Sequence, residues 1–563
     1  MVMVESIELL LILLLLLALT VKPVGLLLLP IAEGRVPALL SRADAVLMQI
    51  LGINPDRGGT WGAYARALIV FNGAGLFLLY AVLRLQGLLP MNPDGFPGLS
   101  PARAFNLAVS YVTNTNWTAG GVETSISLFS RMAGFTVQNF ASCATGLAVS
   151  LVLMRAFRAS EADVVGNFWA DLVRLSVWVI LPLSFVFGLL FIACGVPQTF
   201  TASPASLSGD LIPLGPVASE TAAQLLGTNG GGFFSANSAH PFANPSPLSN
   251  LLSVLAMVLI PSGLTWTFGR MAGNAREGWT IWTAMALIFT FSTAAFAYLE
   301  GDFGGFAQSW GAAGAECSLE GKELRLGLAH TSLFTTAATA TSCGAANASL
   351  DSLAPLAGMI PALLILLGEV VFGGAGSGFC SMMIFTIVAV FAAGLMVGRT
   401  PEYIGKKIDV RAMKLAAIAM LMGPLLVLPG TVASLLTDAG VGAAANPGAH
   451  GFTEIFYAWA SAANNNGSAF AALDADRTWY HLGLGAAMWI GRFCALILML
   501  ALAGVLARSR SAPISSGTLA TTGPLFCGLL IGVILLVGVL TYLPALALGP
   551  IADHLALASC GAP

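Results

Sequence analysis

The chain has 563 residues, of which 57% are hydrophobic and only 9% charged, and its mean hydropathy is +0.85. That composition excludes a water-exposed globular surface and implies a polytopic membrane protein. The formal net charge is −3 and there is no long basic run, which removes the electrostatic case for a nucleic-acid partner.

The first apolar segment runs from Glu5 to Leu29. Glu5 and Glu8 stand where a secretory signal would carry Lys or Arg, and the apolar run is longer than a signal core, so it reads as a retained spanning helix. About 20 apolar residues cross the hydrocarbon core. By that rule further spans fall at 61–85, 131–157, 168–195, 248–270, 278–299, 355–398, 414–438, 480–507 and 524–549, ten in all. The eight cysteines, at 143, 194, 317, 343, 380, 494, 527 and 560, contain no C-x-x-C pair. Most fall in apolar segments, where small hydrophobic filling is the default, and no disulfide or metal-ligand cluster is assigned.

Four polar stretches lie between paired spans: Thr113–Trp117 (TNTNW), Gly227–Gly232 (GTNGGG), Thr341–Ala345 (TSCGA) and Asn464–Ser468 (NNNGS). With Asn116, Gly230, Gly344 and Gly467 taken as equivalent, the intervals are 114, 114 and 123 residues. Short helices at roughly 101–112, 218–226, 331–341 and 453–463 are predicted to lead into them. Non-helical backbone at membrane depth must be buried in protein or line a wet cavity. Glycine at 230, 344 and 467 permits positive φ, and Asn116 is the best non-glycine substitute in that slot. Each stretch alone reads as an ordinary polar turn. Four in phase can surround one axis with backbone carbonyls, which is how a dehydrated potassium ion is held. Glycine packing between helices would explain the small residues but not the Thr and Asn clusters.

The segment 355–398 would be roughly 66 Å long as one straight helix, about twice a bilayer. It must break, and the glycine run Gly373–Gly378 marks the place: a flexible barrier below the filter, or a passive re-entrant kink. Glu369 precedes that break, and Arg492 lies in the apolar run of the fourth repeat. Ionisable groups at such depth default to functional roles, so the two are expected in one polar network at an internal gate with Gly373, Gly374, Gly376 and Gly378; snorkelling or structural pairing elsewhere is the alternative. Lys22, Arg66 and Arg174 read as snorkelling anchors near span ends.

Fourteen Arg and Lys fall on one set of connections and six on the other, which includes all four turns, so both termini and the turns are expected outside. The chain has no phosphate loop and no D-K-T-G phosphorylation string, and its five histidines show no metal spacing. No catalytic site is therefore read in this chain.

Several strings, TNTNW at 113, LGTNGGGFF at 226, NSAHPF at 237, GEVVFGGAGSG at 368, GRTPEYIGKKIDVR at 398 and NNNGSAF at 464, resemble the potassium-binding and translocating A subunit of the Kdp potassium-transporting ATPase, the KdpA family. The resemblance extends from the first helix to about residue 545. It implies an all-α polytopic protein of the superfamily of potassium transporters, with ten transmembrane helices and four helix–pore-loop–helix repeats around a pseudo-fourfold axis. The corresponding divisions are 1–60 (extra helix and loop), 61–160, 161–277, 278–412 and 413–512 (four repeats) and 513–563 (extra helix). It implies filter residues Asn114, Thr115, Asn116, Thr228, Asn229, Gly230, Ser342, Cys343, Gly344, Asn465, Asn466 and Gly467, with K+ as the transported ligand and no bound organic cofactor.

The same resemblance implies a bacterial inner-membrane complex. Its expected members are a P-type ATPase subunit (KdpB-like) that uses the ATP, a single-span subunit (KdpC-like), a very small lipid-like one (KdpF-like) and membrane lipid. Thr118, where the family usually has Gln, and the sequence GAANASLDS from Gly344, where it usually has a Met-His pair before Asp-Ser, bear on affinity and selectivity. The rival readings are a stand-alone, gradient-driven or channel-like transporter of the same architecture, and a membrane enzyme or assembly scaffold whose polar loops bind a lipid or metabolite.

Overall fold

A computed structural model describes residues 2–204, 212–309, 319–511 and 519–560. Cys317 and the expected division at 512/513 lie outside the described residues. Helix α1 (Val2–Ala32) is followed by a short helix α2 (Ser41–Ile50). The first repeat is α3 (Trp61–Leu85), α4 (Pro101–Val112) and α5 (Val137–Arg158). The second contains α6 (Phe168–Leu175), which runs through a π-helical turn into α7 (Leu181–Ala193), then α8 (Val217–Leu226) and α9 (Pro247–Met271). The third contains α10 (Ala275–Ser309), α11 (Gly327–Ala340), α12 (Pro355–Leu366) and α13 (Ser377–Val397), closed by a small hairpin of β1 (Glu402–Tyr403) and β2 (Lys406–Lys407). The fourth is α14 (Val410–Leu435), the single turn α15 (Asp438–Val441), α16 (Gly448–Ala463) and α17 (Thr478–Arg508); α18 (Pro524–Leu546) and α19 (Ala552–Cys560) follow.

Among the described residues ten helices are long and apolar enough to cross a membrane. Four short helices, α4, α8, α11 and α16, each stand between two spans and end at one of the polar turns. The elements begin where local chemistry favours it. Ser100 caps α4 through the Arg103 N–H with Pro101 in the first turn, and Ser246 and Ser249 form a reciprocal capping box on α9. The predicted break in 355–398 is present but begins earlier than the glycine run, since α12 ends at Leu366 and α13 starts at Ser377.

Helices α5 and α9 are the most enclosed and α14 the most exposed of the spans. Their apolar side chains make one large core, and buried ion pairs pin the outer parts of the repeats to it. Arg131 and Glu220, both 1% exposed, meet at 3.3 Å, and Arg131 also lies over the Phe233 ring. Lys322 and Glu300 pair at 2.7 Å with both side chains fully buried, and Glu300 also accepts the Ala354 N–H.

Arg174 is not a snorkelling anchor. It grips Asp44 of α2 at 2.7 Å and donates to the Gly34 carbonyl, while Arg155 pairs with Asp171 and caps the Ile31 and Ala32 carbonyls at the end of α1. Lys22 and Arg66, by contrast, are exposed.

Candidate ion filter and the barrier beneath it

Each short helix ends in the same way. The second residue past its last helical position, Asn114, Thr228, Ser342 or Asn465, takes a left-handed φ of 67°, 52°, 50° or 53°. The next N–H then reaches back to the carbonyl five residues earlier: Thr115 to Ser110, Asn229 to Gln224, Cys343 to Ala338 and Asn466 to Ser461, at 2.8–3.0 Å. This is the Schellman closure of a helix C-terminus, usually made with glycine at the left-handed position. Here non-glycine residues hold it in all four repeats, so the strain is offset by surrounding contacts. The left-handed residue is thus the first of each triplet. Asn116, Gly344 and Gly467 are left-handed too, as expected, but Gly230 is not.

Glycine at 230 is required for a different reason. A β-carbon there would strike the Thr115 carbonyl and come within 2.8 Å of the Asn466 carbonyl and 3.0 Å of the Gly467 Cα. Three turns converge on that point.

The four turns also hold one another in sequence around a closed ring. Asn114 Nδ2 donates to the Thr228 carbonyl at 3.0 Å, and the Gly230 N–H to the Thr115 carbonyl at 3.2 Å, joining the first turn to the second. The Cys343 thiol donates to the Asn229 carbonyl at 3.1 Å, joining third to second. The Ser342 hydroxyl donates to the Asn464 carbonyl at 3.3 Å, joining third to fourth. Asn465 Nδ2 donates to the Thr115 hydroxyl at 2.9 Å and closes the circuit.

With their N–H groups turned back into the helix ends, the turns leave carbonyl oxygens over. Among the described residues, no protein donor reaches the carbonyls of Asn114, Asn116, Ser342, Cys343, Asn465 or Asn466. Buried carbonyls are ordinarily paired, so a converging set of unpaired ones is suited to replacing the water around a cation. The C-terminal ends of the four short helices add partial negative charge from below.

Residues outside the triplets brace the ring. Ser142 donates to Asn114 Oδ1 at 2.9 Å and lies 3.3 Å from Asn229 Oδ1, while Asn139 Oδ1 accepts from Asn116 Nδ2 at 2.8 Å. Gln224 and Asn237 both donate to the Gly230 carbonyl at 2.7 Å. The sequence signal for the first two is a polar pair three residues apart within a spanning helix, which puts both on one helix face. In the third repeat Asn347 is buried and donates to Asn250 Oδ1 at 3.0 Å.

Directly beneath the ring lies the break between α12 and α13. Its Ala375 N–H donates to the Thr228 hydroxyl at 2.8 Å, so the broken segment is tied to a ring residue. Glu369 and Phe372 are both left-handed, as are Gly373 and Gly376; a β-carbon at Gly376 would strike the backbone of Gly146 on α5. Ser377 donates to Glu369 Oε2 at 2.6 Å. Glu369, Ser377, Asn464, Asn465 and Arg492 line one cavity of about 120 Å³. Glu369 and Arg492 therefore share a chamber, yet among the described residues they make no direct ion pair, and Arg492 Nη2 is buried without a hydrogen-bond partner.

Residues 11–555 match the family described as the potassium-transporting ATPase A subunit. The chain belongs to that family. It is 50% identical over 553 residues to a protein of Variovorax paradoxus (strain S110), which spans 95% of this chain and 96% of the relative. It is 50% identical over 545 residues to one of Laribacter hongkongensis (strain HLHK9) and 49% over 540 to one of Cronobacter sakazakii (strain ATCC BAA-894), each over 95% of this chain and 96% of the relative. All three relatives are called potassium-transporting ATPase potassium-binding subunit. The crystal structure of the potassium transporter TrkH from Vibrio parahaemolyticus superposes with a TM-score of 0.52 at 14% identity, covering 86% of this chain and 97% of that one. At that identity the likeness speaks to the fold alone.

Proposed function

We propose that this family member is the potassium-binding and translocating subunit of an ATP-driven importer. The observation that carries the reading is the closed ring of four mutually bonded turns, in which six buried carbonyls have no donor among the described residues. Oxygens of Asn114, Thr115 and Asn116, of Thr228, Asn229 and Gly230, of Ser342, Cys343 and Gly344, and of Asn465, Asn466 and Gly467 take over the ion's hydration. Discrimination then follows from oxygen number, dipole strength and cavity size. Below the filter, the segment from Glu369 through Gly373, Gly374, Gly376 and Gly378, with Arg492 across the chamber, acts as the barrier that stops the chain from conducting freely.

In this reading the filter faces outward, the many cations face the cytoplasm, and both termini are outside a bacterial inner membrane. A P-type ATPase subunit hydrolyses ATP and receives the ion, with a KdpC-like single-span subunit and a KdpF-like small subunit in the complex. The chain itself contributes selection and passage, with no catalytic group. The test is rubidium uptake into vesicles holding the chain alone or the chain with its partner subunits. Uptake that needs both partners and ATP supports the proposal. Uptake by the chain alone in ATP-depleted vesicles would instead make it a self-sufficient transporter.

A further inference from the structure

At the end of the molecule that carries the larger share of Arg and Lys, a groove of about 600 Å³ runs between α10 and α18. Its mouth holds the exposed guanidinium of Arg276, the Trp279 indole, 40% exposed, and the backbone of Thr522 and Gly523. Its walls are Thr283 and Leu287 on one side and Cys527, Gly528 and Ile531 on the other. The helical rise from Arg276 to Leu287 is roughly 16 Å, close to half the hydrocarbon thickness, so the groove is about one leaflet deep. Basic at the rim, aromatic at the interface and apolar below, it has the polarity profile of one membrane lipid.

The charge of the occupant follows from what lines the mouth. No carboxylate is among the lining residues; Glu277 next to Arg276 is buried and turned away, accepting from the Thr521 hydroxyl at 2.7 Å. The floor is hollow over Gly528, where an added β-carbon would meet nothing within 4 Å. We infer that this groove is a binding site for one anionic glycerophospholipid of the inner leaflet, its phosphate on Arg276 and an acyl chain over Gly528. Neither the ring nor the broken segment beneath it contributes to this site.

The test uses the protein purified in its native assembly and nanodiscs of phosphatidylglycerol or phosphatidylcholine, with native mass spectrometry counting retained lipid. Phosphatidylglycerol should be retained over phosphatidylcholine, and Arg276→Gln should weaken its retention by about fivefold, the worth of one basic residue at a charged membrane surface. Gly528→Leu keeps the charge but fills the floor, and should abolish retention of either lipid at an unchanged melting temperature. Soluble glycerol phosphate should not displace the lipid. Retention indifferent to Gly528→Leu would overturn the assignment, as would displacement by glycerol phosphate. Lipid bound by the isolated chain but absent from the assembly would also overturn it, by showing that a partner subunit fills the groove.

Discussion

Asn465 in the fourth turn donates to the hydroxyl of Thr115 in the first at 2.9 Å, across 350 residues of sequence, and this one bond makes the ring of turns a closed circuit. Asn465 also donates to the Met488 carbonyl of α17 at 2.9 Å, so the closure is anchored to a spanning helix. Asn465→Ala removes both bonds at a buried site, costing about 1–3 kcal/mol. The fourth turn should loosen against the first, raising the apparent KM for rubidium roughly tenfold and narrowing its preference over ammonium. Uptake competition in vesicles reads both, and unchanged competition would remove the ring from the selection step.

Gly467 tests the centre itself. It has a φ of 102°, and a β-carbon on it would strike the Thr115 carbonyl, whereas one on Gly62 of α3 would meet nothing within 4 Å. Gly467→Ala should therefore abolish high-affinity binding through overpacking of about 1–3 kcal/mol plus backbone strain, while Gly62→Ala leaves it intact. Calorimetric titration of potassium into the two variants distinguishes a local clash from a general glycine effect.

The bond from the Ala375 N–H to the Thr228 hydroxyl ties the broken segment to the ring, the proposed barrier to the proposed filter. Thr228→Val keeps the shape but leaves that buried N–H without an acceptor, at about 1–3 kcal/mol. The broken segment should then leave its packed position more often. Passive rubidium flux without ATP should rise by about tenfold or more, with melting temperature little changed. A tight, fully ATP-dependent Thr228→Val protein would show that this bond does not hold the barrier shut.

Much of this was open to inspection in the residues, and the misses have physical causes. The four Thr, Asn and Gly stretches stand out because polar turns at membrane depth contradict their surroundings, and the break in 355–398 follows from length alone. The reading placed left-handed backbone at the third position of each triplet, since Gly230, Gly344 and Gly467 advertise it. The shared left-handed position is the first, held by Asn, Thr, Ser and Asn, where only helix closure reveals it. Gly230 is glycine because of a neighbour's carbonyl, which no local pattern encodes. Arg174 departs from the anchor expectation because its partner Asp44 sits on α2, a helix too short and too polar to stand out in the sequence. Ser142 reaches Asn229 of the second repeat, while Asn139 and Gln224 brace the turns of their own repeats, contacts that only the folded helices bring together.

Arg131 and Glu220 lend themselves to a stability test. Both are buried at 3.3 Å, and Glu220 Oε2 has no hydrogen-bond partner. Arg131→Met leaves the carboxylate alone in an apolar site, which costs about 3–5 kcal/mol, whereas the Arg131→Met, Glu220→Leu double variant removes the charge as well as its partner. The single variant should melt well below the parent and the double variant should recover most of the loss. Thermal unfolding in detergent, followed by tryptophan fluorescence, measures both; equal losses would mean that Arg131 acts through its stacking on Phe233 instead.

His450, at the start of α16, lies between two carboxylates from different parts of the chain, with Asp351 at 3.3 Å from Nε2 and Asp553 at 2.9 Å from Nδ1. Glu454 is nearby but occupied by the Ala445 and Asn446 N–H groups. Hydrogen bonds to Asp351 first and Asp553 second hold the imidazolium, raising its pKa from 6.5 to about 10 despite partial burial. Because the folded value lies above the unfolded one, the clasp stabilises fully below about pH 6.5 and its contribution is lost as pH rises toward 10. Melting temperature should therefore fall across that window in the parent. His450→Asn, which cannot carry the charge, should start lower and lose little further. A parent curve that stays level from pH 6.5 to pH 10 would show that the ring nitrogens of His450 carry no charge in the folded protein.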